Sequence, residues 1–391
     1  MISSDTNRKL GFYTCDGKEF SSKILACIHG ETNNKPVEWN FNKEIFSSVN
    51  WKIEPEENLD RLYDERAKQI RQSNDYVILS YSGGSDSHNV LMSFLRQGLH
   101  IDEILVNTVD SKDTVAVHDT RIVSSWNSGA EYKLQTVERL KYIKTFHPNI
   151  KITVCDMSQS MFDILEGAED ASWILRSKEK LNLGGALRYN YIYFKEVRNR
   201  FDKNKKIAIV TGVDKPRTCI DRLGNFYLFF NDRAVNVVNA QEHFQDYTNT
   251  TIENFYWSPD ATKILIKQAH VIKRWIEANQ TLKSIWVLKD QEEYGSNFRR
   301  YHETILKNVI YSTWDNSWFQ SEKSTSDWYN EFDTWFYKNY QDSKAYSVWK
   351  SGLEYVEKNA GDYVLYKNGN PFGLKSFYQF YKIGEFHDSV V

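Results

Sequence analysis

Between residues 56 and 245, short uninterrupted apolar runs alternate with longer amphipathic stretches. The apolar runs are rich in β-branched residues, which is typical of strands buried in a parallel sheet. They span residues 75–81, 101–110, 150–157 and 205–215. The stretches between them carry apolar residues at helical spacing, as in 86–98, where Val90 and Phe94 share a face. This alternation predicts an α/β fold with a doubly wound parallel sheet.

The pattern differs on both sides of this region. Residues 1–55 contain short β-like stretches around turn signals. These stretches span 11–15, 23–30 and 37–41. Residues 246–391 are rich in aromatic residues at helical spacing, and one helix is predicted to begin near Ser258 or Asp260. We therefore predict an N-terminal β-containing extension over 1–55, an α/β domain over 56–245 and a largely helical C-terminal region over 246–391.

The composition narrows the class of protein. The 391 residues carry a net charge of −2, so no global positive field attracts nucleic acid. No run of about 18 apolar residues occurs, and no membrane span is expected. The four cysteines form no C-x-x-C pair, and the N-terminus lacks the apolar core of a signal peptide. We expect a cytoplasmic protein without a membrane partner, and the sequence gives no strong signal for nucleic-acid binding.

The candidate chemistry centres on the string SGGSDS at residues 82–87, between a predicted strand and a predicted helix. At the carboxyl end of a parallel strand, free backbone N–H groups and the helix dipole favour anions. Gly83 and Gly84 allow the backbone to approach a phosphate closely, and the serine hydroxyls can donate hydrogen bonds. Asp86 would repel a bare phosphate, which makes it a candidate ligand for a Mg²⁺ ion between the carboxylate and the phosphates.

Two common phosphate-binding loops are excluded, because the Walker pattern requires a lysine after its second glycine and G-x-G-x-x-G is absent. SGGSDS resembles instead the PP-loop signature of the N-type ATP pyrophosphatase family, whose α/β fold is of the HUP type and which includes asparagine synthetase. The resemblance implies that ATP is cleaved between its α- and β-phosphates, with the loop around pyrophosphate and Mg²⁺ and the next strand against adenine. The ATP-binding residues that it implies are Ser80, Ser82, Gly83, Gly84, Ser85, Asp86, Ser87, Asn107, Val109 and Gly212.

A second group of polar residues follows the apolar run that ends near residue 215. Asp214, Lys215 and Arg217 would project at the same sheet edge as the loop, where the two cations suit the charge on a leaving pyrophosphate. Together with Asp86 they are the candidate catalytic residues. The alternative interpretation of this segment is a solvated turn.

The resemblance also implies a class of reaction. It implies an ATP-dependent ligase that adenylates an acceptor oxygen, in a carboxylate or an amide, before a C–N bond forms. The acceptor would be a small molecule or a nucleoside, and ammonia or an amine would supply the nitrogen, directly or through a separate partner. Arg188 and Asn190, in a predicted helix after a glycine pair, are candidates for binding this substrate.

Two other functions stay open at the level of sequence. A PP-loop sulfurtransferase or sulfonucleotide reductase-like enzyme requires a reactive thiol, and Cys219 follows Arg217 closely enough to reach the same site. A non-catalytic nucleotide-binding module would keep the loop without the chemistry. The Cys219→Ser variant separates the first alternative from the ligase, which needs no thiol.

Overall fold

The computed structural model is a mixed α/β fold. The structure describes residues 9–108, 131–156, 166–169, 171–176, 204–232, 249–279, 305–315, 317–318, 340–367 and 370–386. The strands are β1 Phe12–Cys15, β2 Lys18–Phe20, β3 Val37–Asn40, β4 Tyr76–Ser80, β5 Glu103–Thr108, β6 Lys151–Asp156, β7 Ile207–Thr211, β8 Arg217–Ile220, β9 Asn225–Asn231, β10 Thr250–Asn254, β11 Val364–Lys367, β12 Asn370–Leu374 and β13 Tyr378–Glu385. The helices are α1 Lys23–Asn33, α2 Lys43–Ser48, α3 Leu59–Ser73, α4 Ser85–Arg96, α5 Val137–Phe146, α6 Thr262–Ala278 and α7 Lys344–Ala360. Among these described helices, none has both the length and the apolar character that crossing a bilayer requires.

Within the described residues, the largest sheet has five parallel strands in the order β6-β5-β4-β7-β10. In chain order, the first strand of this sheet is β4, and β5 and β6 follow outward on one side of it. The chain then returns to add β7 and β10 on the other side of β4. The strand order therefore reverses between β4 and β7, where Ser80 lies opposite Thr211 at the carboxyl ends. In open α/β sheets such a reversal opens a crevice in which ligands bind. The predicted α/β fold with a parallel sheet is confirmed.

The central strand and its helix follow directly from the local sequence. Val77, Ile78 and Leu79 of β4 are almost completely buried, as an uninterrupted apolar run in a covered parallel sheet should be. Helix α4 begins one residue after Gly84, which has extended backbone angles at the N-cap. It ends at Arg96, and Gly98, with a φ of 63°, turns the chain away in the left-handed conformation that glycine tolerates. These elements place the SGGSDS loop at the reversal point of the sheet.

The N-terminal region contains a three-stranded antiparallel sheet in the order β2-β1-β3. Two of the predicted β-like stretches are confirmed as β1 and β3, but the prediction for 23–30 is wrong because this stretch lies in helix α1. The Ser22 hydroxyl caps the helix by accepting a hydrogen bond from the backbone N–H of Leu25. Ile24 and Cys27 are fully buried on one face, so the apolar spacing is helical.

The three predicted regions share one aromatic core. Phe46 of the N-terminal region stacks on Phe230 of β9 with ring centroids 4.9 Å apart, and Phe230 meets Trp257 edge-on at 5.0 Å. The C-terminal strand β13 pairs antiparallel with β9, which also forms a hairpin with β8. The parallel sheet includes β10 at residues 250–254, so it extends beyond the predicted domain boundary at residue 245.

A buried ion pair joins helix α1 to the residue after β9. The Lys23 ammonium lies 2.6 Å from Asp232, and the two side chains are 3% and 0% exposed. The Asp232 carboxylate also accepts hydrogen bonds from the Tyr13 hydroxyl at 3.0 Å and from the Phe377 backbone N–H at 3.1 Å. Because a buried carboxylate is tolerated only with such partners, this group fixes the N-terminal region against the C-terminal strand.

Candidate active site

The SGGSDS loop is held in shape by its own serines. The Ser82 hydroxyl accepts a hydrogen bond from the backbone N–H of Gly84 at 3.2 Å and lies 3.3 Å from the Ser87 hydroxyl. The Ser87 hydroxyl donates to the Gly84 carbonyl at 3.2 Å, and the Thr136 hydroxyl donates to the Ser82 carbonyl at 2.7 Å. Gly83 has a φ of 72°, which favours glycine. Ser82 and Ser87 therefore also stabilise the turn, a role that was not predicted for them from sequence.

The end of β7 packs directly under the start of helix α4. A Cβ atom placed on Gly212 would lie 2.9 Å from the backbone nitrogen of Ser87 and 3.0 Å from the carbonyl carbon of Asp86. These neighbours are backbone atoms, so they cannot yield as a flexible side chain would. The absence of a side chain at Gly212 is therefore what lets the end of β7 approach the first turn of α4. Gly212, a candidate ATP-binding residue, thus lies beside the loop.

The four candidate catalytic residues lie together at this point. The Lys215 ammonium donates to Asp86 Oδ2 at 2.5 Å, and the two side chains are 11% and 22% exposed. Arg217 donates to Asp214 Oδ2 at 2.8 Å, and the backbone N–H of Lys215 donates to Asp214 Oδ1 at 2.6 Å. Burial raises the pKa of Asp86, while the Lys215 ammonium acts in the opposite direction. Two carboxylates and two cations thus occupy one partly buried cluster.

The C-terminal region supplies two tyrosines that the sequence did not single out. The Tyr311 hydroxyl donates to Asp86 Oδ1 at 2.6 Å, and the Tyr256 hydroxyl donates to the Asp86 backbone carbonyl at 3.1 Å. The Asn89 side chain donates in turn to the Tyr256 hydroxyl at 2.9 Å. Burial raises the pKa of both phenols well above their ordinary value, so they remain protonated donors. No local motif identifies them, because 225 residues separate Tyr311 from Asp86.

A cationic and aromatic cluster beside the loop comes from α5, Trp314 and Trp318. The Arg139 guanidinium lies over the rings of Trp314 and Trp318, at 4.8 and 4.7 Å from their centroids. His88 is buried against Trp318, with its Nδ1 3.1 Å from the Tyr81 hydroxyl. Burial, together with the nearby Arg139 charge, lowers the pKa of His88 to about 4. The imidazole is therefore neutral at pH 7.

The remaining candidate ATP-binding residues are described in part. Ser80 ends β4, Ser85 opens α4, and Asn107 lies near the end of β5, the strand next to β4. The Asn107 side-chain oxygen is buried and accepts no hydrogen bond from the described part of the chain. A buried acceptor of this kind is costly unless a ligand satisfies it. Val109, together with the candidate substrate-binding residues Arg188 and Asn190, lies outside the described residues.

Cys219 lies in β8, two residues beyond Arg217, and its side chain is fully buried. The other three cysteines are also buried, and none of the four forms a disulfide. A thiol that carries sulfur must reach both its donor and its acceptor, and reactive cysteines are partly exposed. Burial of Cys219 therefore disfavours the sulfur-transfer alternative.

The residues near the loop do not form a self-sufficient metal site. Among the described residues, no group of three histidine, cysteine, aspartate or glutamate side chains is arranged to hold a metal ion. Asp86 offers one carboxylate, whose oxygens contact Lys215 and Tyr311. One carboxylate together with nucleotide phosphates is the usual environment of Mg²⁺ in proteins. This donor set fits a Mg²⁺ ion that arrives bound to a nucleotide.

Comparison with known proteins assigns no family to the chain. No protein-family model matches it. No curated protein matches it in sequence. The geometry of the loop and the resemblance of residues 82–87 to the PP-loop are therefore the grounds for a functional proposal.

Proposed function

We propose that this protein is a PP-loop enzyme that cleaves MgATP to AMP and pyrophosphate and adenylates an acceptor oxygen before a C–N bond forms. The main support for the proposal is the ion pair between Asp86 and Lys215 beside the glycine loop, at the point where the strand order of the sheet reverses. Nucleotides bind at this point in open α/β sheets. The resemblance of residues 82–87 to the PP-loop implies cleavage next to the α-phosphate rather than γ-phosphate transfer.

In this proposal, different residues of the chain would bind different parts of MgATP. The first-turn N–H groups of α4 have no partner within the helix, and the helix dipole adds positive potential at the loop. Asp86 would bind the Mg²⁺ ion that arrives with ATP, and the Lys215 ammonium would then bind phosphate oxygens. The buried Asn107 oxygen, near the end of the strand next to the loop, would accept a hydrogen bond from the amino group of adenine.

The proposed chemistry has two steps. An oxygen of the acceptor attacks the α-phosphorus, the bond from this phosphorus to the bridging oxygen breaks, and pyrophosphate leaves with the electron pair. Lys215 and Arg217 stabilise the negative charge that grows on the leaving group. An amine or ammonia then attacks the carbon that bears the adenylated oxygen. The C–N bond forms, and the bond from this carbon to the oxygen breaks as AMP leaves. The acceptor is a small molecule or a nucleoside, and a separate partner is a possible source of the amine.

The test measures AMP and pyrophosphate when the full chain is incubated with MgATP, an amine and pools of candidate acceptors. The wild-type protein should release both products in equal amounts with the correct acceptor. Lys215→Met should lower the rate at least about a hundredfold, the usual effect of removing one group that stabilises transition-state charge. Lys141→Met is the matched control, because Lys141 is an exposed lysine on α5 that pairs only with Glu138 among the described residues.

Two results would reject the proposal. Release of ADP and phosphate in place of AMP and pyrophosphate would show that the γ-phosphate is the one transferred. Equal rates for Lys215→Met and the Lys141→Met control would remove Lys215 from the site. Cys219→Ser addresses the sulfur-transfer alternative, because the proposed ligase should keep its rate within about twofold, whereas a thiol-dependent enzyme should lose activity.

A further inference from the structure

Arg139 is a cation beside the loop that the proposed chemistry does not use. It lies on helix α5, and the whole residue is 7% exposed. A Cβ atom placed on Gly83 would be 3.4 Å from the Arg139 nitrogen Nη1, so the guanidinium lies beside the loop at Gly83. The same Cβ would be 3.0 Å from Cα of Thr136, whose hydroxyl bonds the Ser82 carbonyl. Helix α5 and the turn before it are thus built against the loop.

The position of the guanidinium is fixed by its surroundings. Two indole rings, of Trp314 and Trp318, lie within 5 Å of it and exclude water from its faces. His88, which lies near the guanidinium, carries no charge at pH 7 and so does not repel an anion. A cation held in this way needs little reorganisation when an anion arrives, and its attraction is weakly screened.

Lys215 and Arg139 lie near different residues of the same loop. Lys215 contacts Asp86 in the first turn of α4, whereas the Arg139 guanidinium lies beside Gly83. An anion bound to the backbone N–H groups of this turn would therefore have two cations near it. A single phosphate can use only part of this arrangement, whereas a chain of phosphates can span it.

We propose that Arg139 is a second phosphate-binding cation of the loop. With Lys215 it makes the site prefer ligands with a chain of phosphates over ligands with a single phosphate. This inference rests on the proposed nucleotide site but not on the reaction that follows. It makes Arg139 a binding residue, in addition to the cations that follow β7. The ligand class is an inorganic or nucleoside triphosphate.

The experiment is calorimetric titration of the full chain with sodium tripolyphosphate and, separately, with inorganic phosphate. Arg139→Gln should weaken tripolyphosphate binding at least tenfold, which corresponds to about 1.4 kcal/mol. Arg139→Lys keeps the charge but loses the planar guanidinium, so its affinity should be weaker than that of the wild type and stronger than that of Arg139→Gln. Lys141→Gln, an exposed lysine two residues along the same helix, should bind like the wild type. The wild type should prefer tripolyphosphate to phosphate, and Arg139→Gln should lose most of this preference.

Each outcome decides the inference. Equal tripolyphosphate affinity in Arg139→Gln and the wild type overturns it. If Arg139→Gln does not fold, as judged by circular dichroism, Arg139→Lys decides alone, since an affinity unchanged from the wild type there contradicts phosphate binding by the guanidinium. A wild type without affinity for tripolyphosphate also overturns it. The proposed reaction is judged separately, by the release of AMP and pyrophosphate.

Discussion

The buried histidine beside the loop gives the protein a defined sensitivity to acid. His88 has a pKa of about 4 in the folded chain, against an ordinary value of 6.5. As the pH falls below the ordinary value, the unfolded chain takes up a proton that the folded chain does not, so the folded state loses stability until the pH passes below the folded pKa. Linkage at these two pKa values gives a loss of about 2 kcal/mol between pH 7 and pH 5.

The assay is urea unfolding of the wild type and of His88→Gln at these two pH values. Glutamine does not titrate, so the stability difference between the two proteins should shift by about 2 kcal/mol against the wild type on acidification. Tyr81→Phe is the matched control, because it removes the hydroxyl next to the imidazole but keeps the titrating group. It should follow the wild type. If the stability difference between the wild type and His88→Gln changes by less than about 0.5 kcal/mol between the two pH values, the proposed burial of a neutral His88 is refuted.

Three further substitutions test other contacts by urea unfolding. Gly212→Ala should lower the free energy of unfolding by about 1–3 kcal/mol, because its methyl group would meet the backbone of α4. Gly361→Ala is the control and should cost nothing, because its methyl group would have only one contact, at 3.8 Å. Equal effects of the two substitutions would contradict the close approach of Gly212 to α4. Tyr311→Phe should cost about 1.5–3 kcal/mol through the lost hydrogen bond to a buried carboxylate, and unchanged stability would argue against that bond. Lys23→Met should cost about 3–5 kcal/mol of stability, because it leaves the buried Asp232 carboxylate without its ion-pair partner. Lys263→Met is the control and should cost less than about 1 kcal/mol, because Lys263 forms an exposed ion pair. Similar small losses in both variants would be inconsistent with a buried ion pair at Lys23.

The central strands and the loop could be predicted from sequence because their signals are local. An uninterrupted apolar run, a glycine pair and an amphipathic stretch are adjacent in the chain at β4, residues 82–87 and α4. The fifth strand, β10, carries no such signal. It forms an edge of the described sheet and reads TTIEN, with only Ile252 and Asn254 buried, so its hydrophobic pattern is too weak to be distinguished from a loop.

The contacts that complete the candidate site depend on long-range packing. Helix α1 was predicted as a β-like stretch because its short apolar run fits both periodicities, and the serine cap decides between them. Tyr311 approaches Asp86 only when the C-terminal region folds back over the α/β sheet. The proximity of Arg139 to Gly83 likewise requires helix α5 to pack against the loop. Spacing along the chain carries no information about such pairs.

The most direct test of the proposed function is exchange of radiolabelled pyrophosphate into ATP, with the acceptor present and the amine donor left out. Adenylation is reversible before the amine reacts, so wild-type protein should incorporate label into ATP. Lys215→Met should reduce the rate of incorporation at least about a hundredfold. If the protein turns over ATP but incorporates no label, and instead accumulates ADP and phosphate, then cleavage between the α- and β-phosphates at the SGGSDS loop is contradicted.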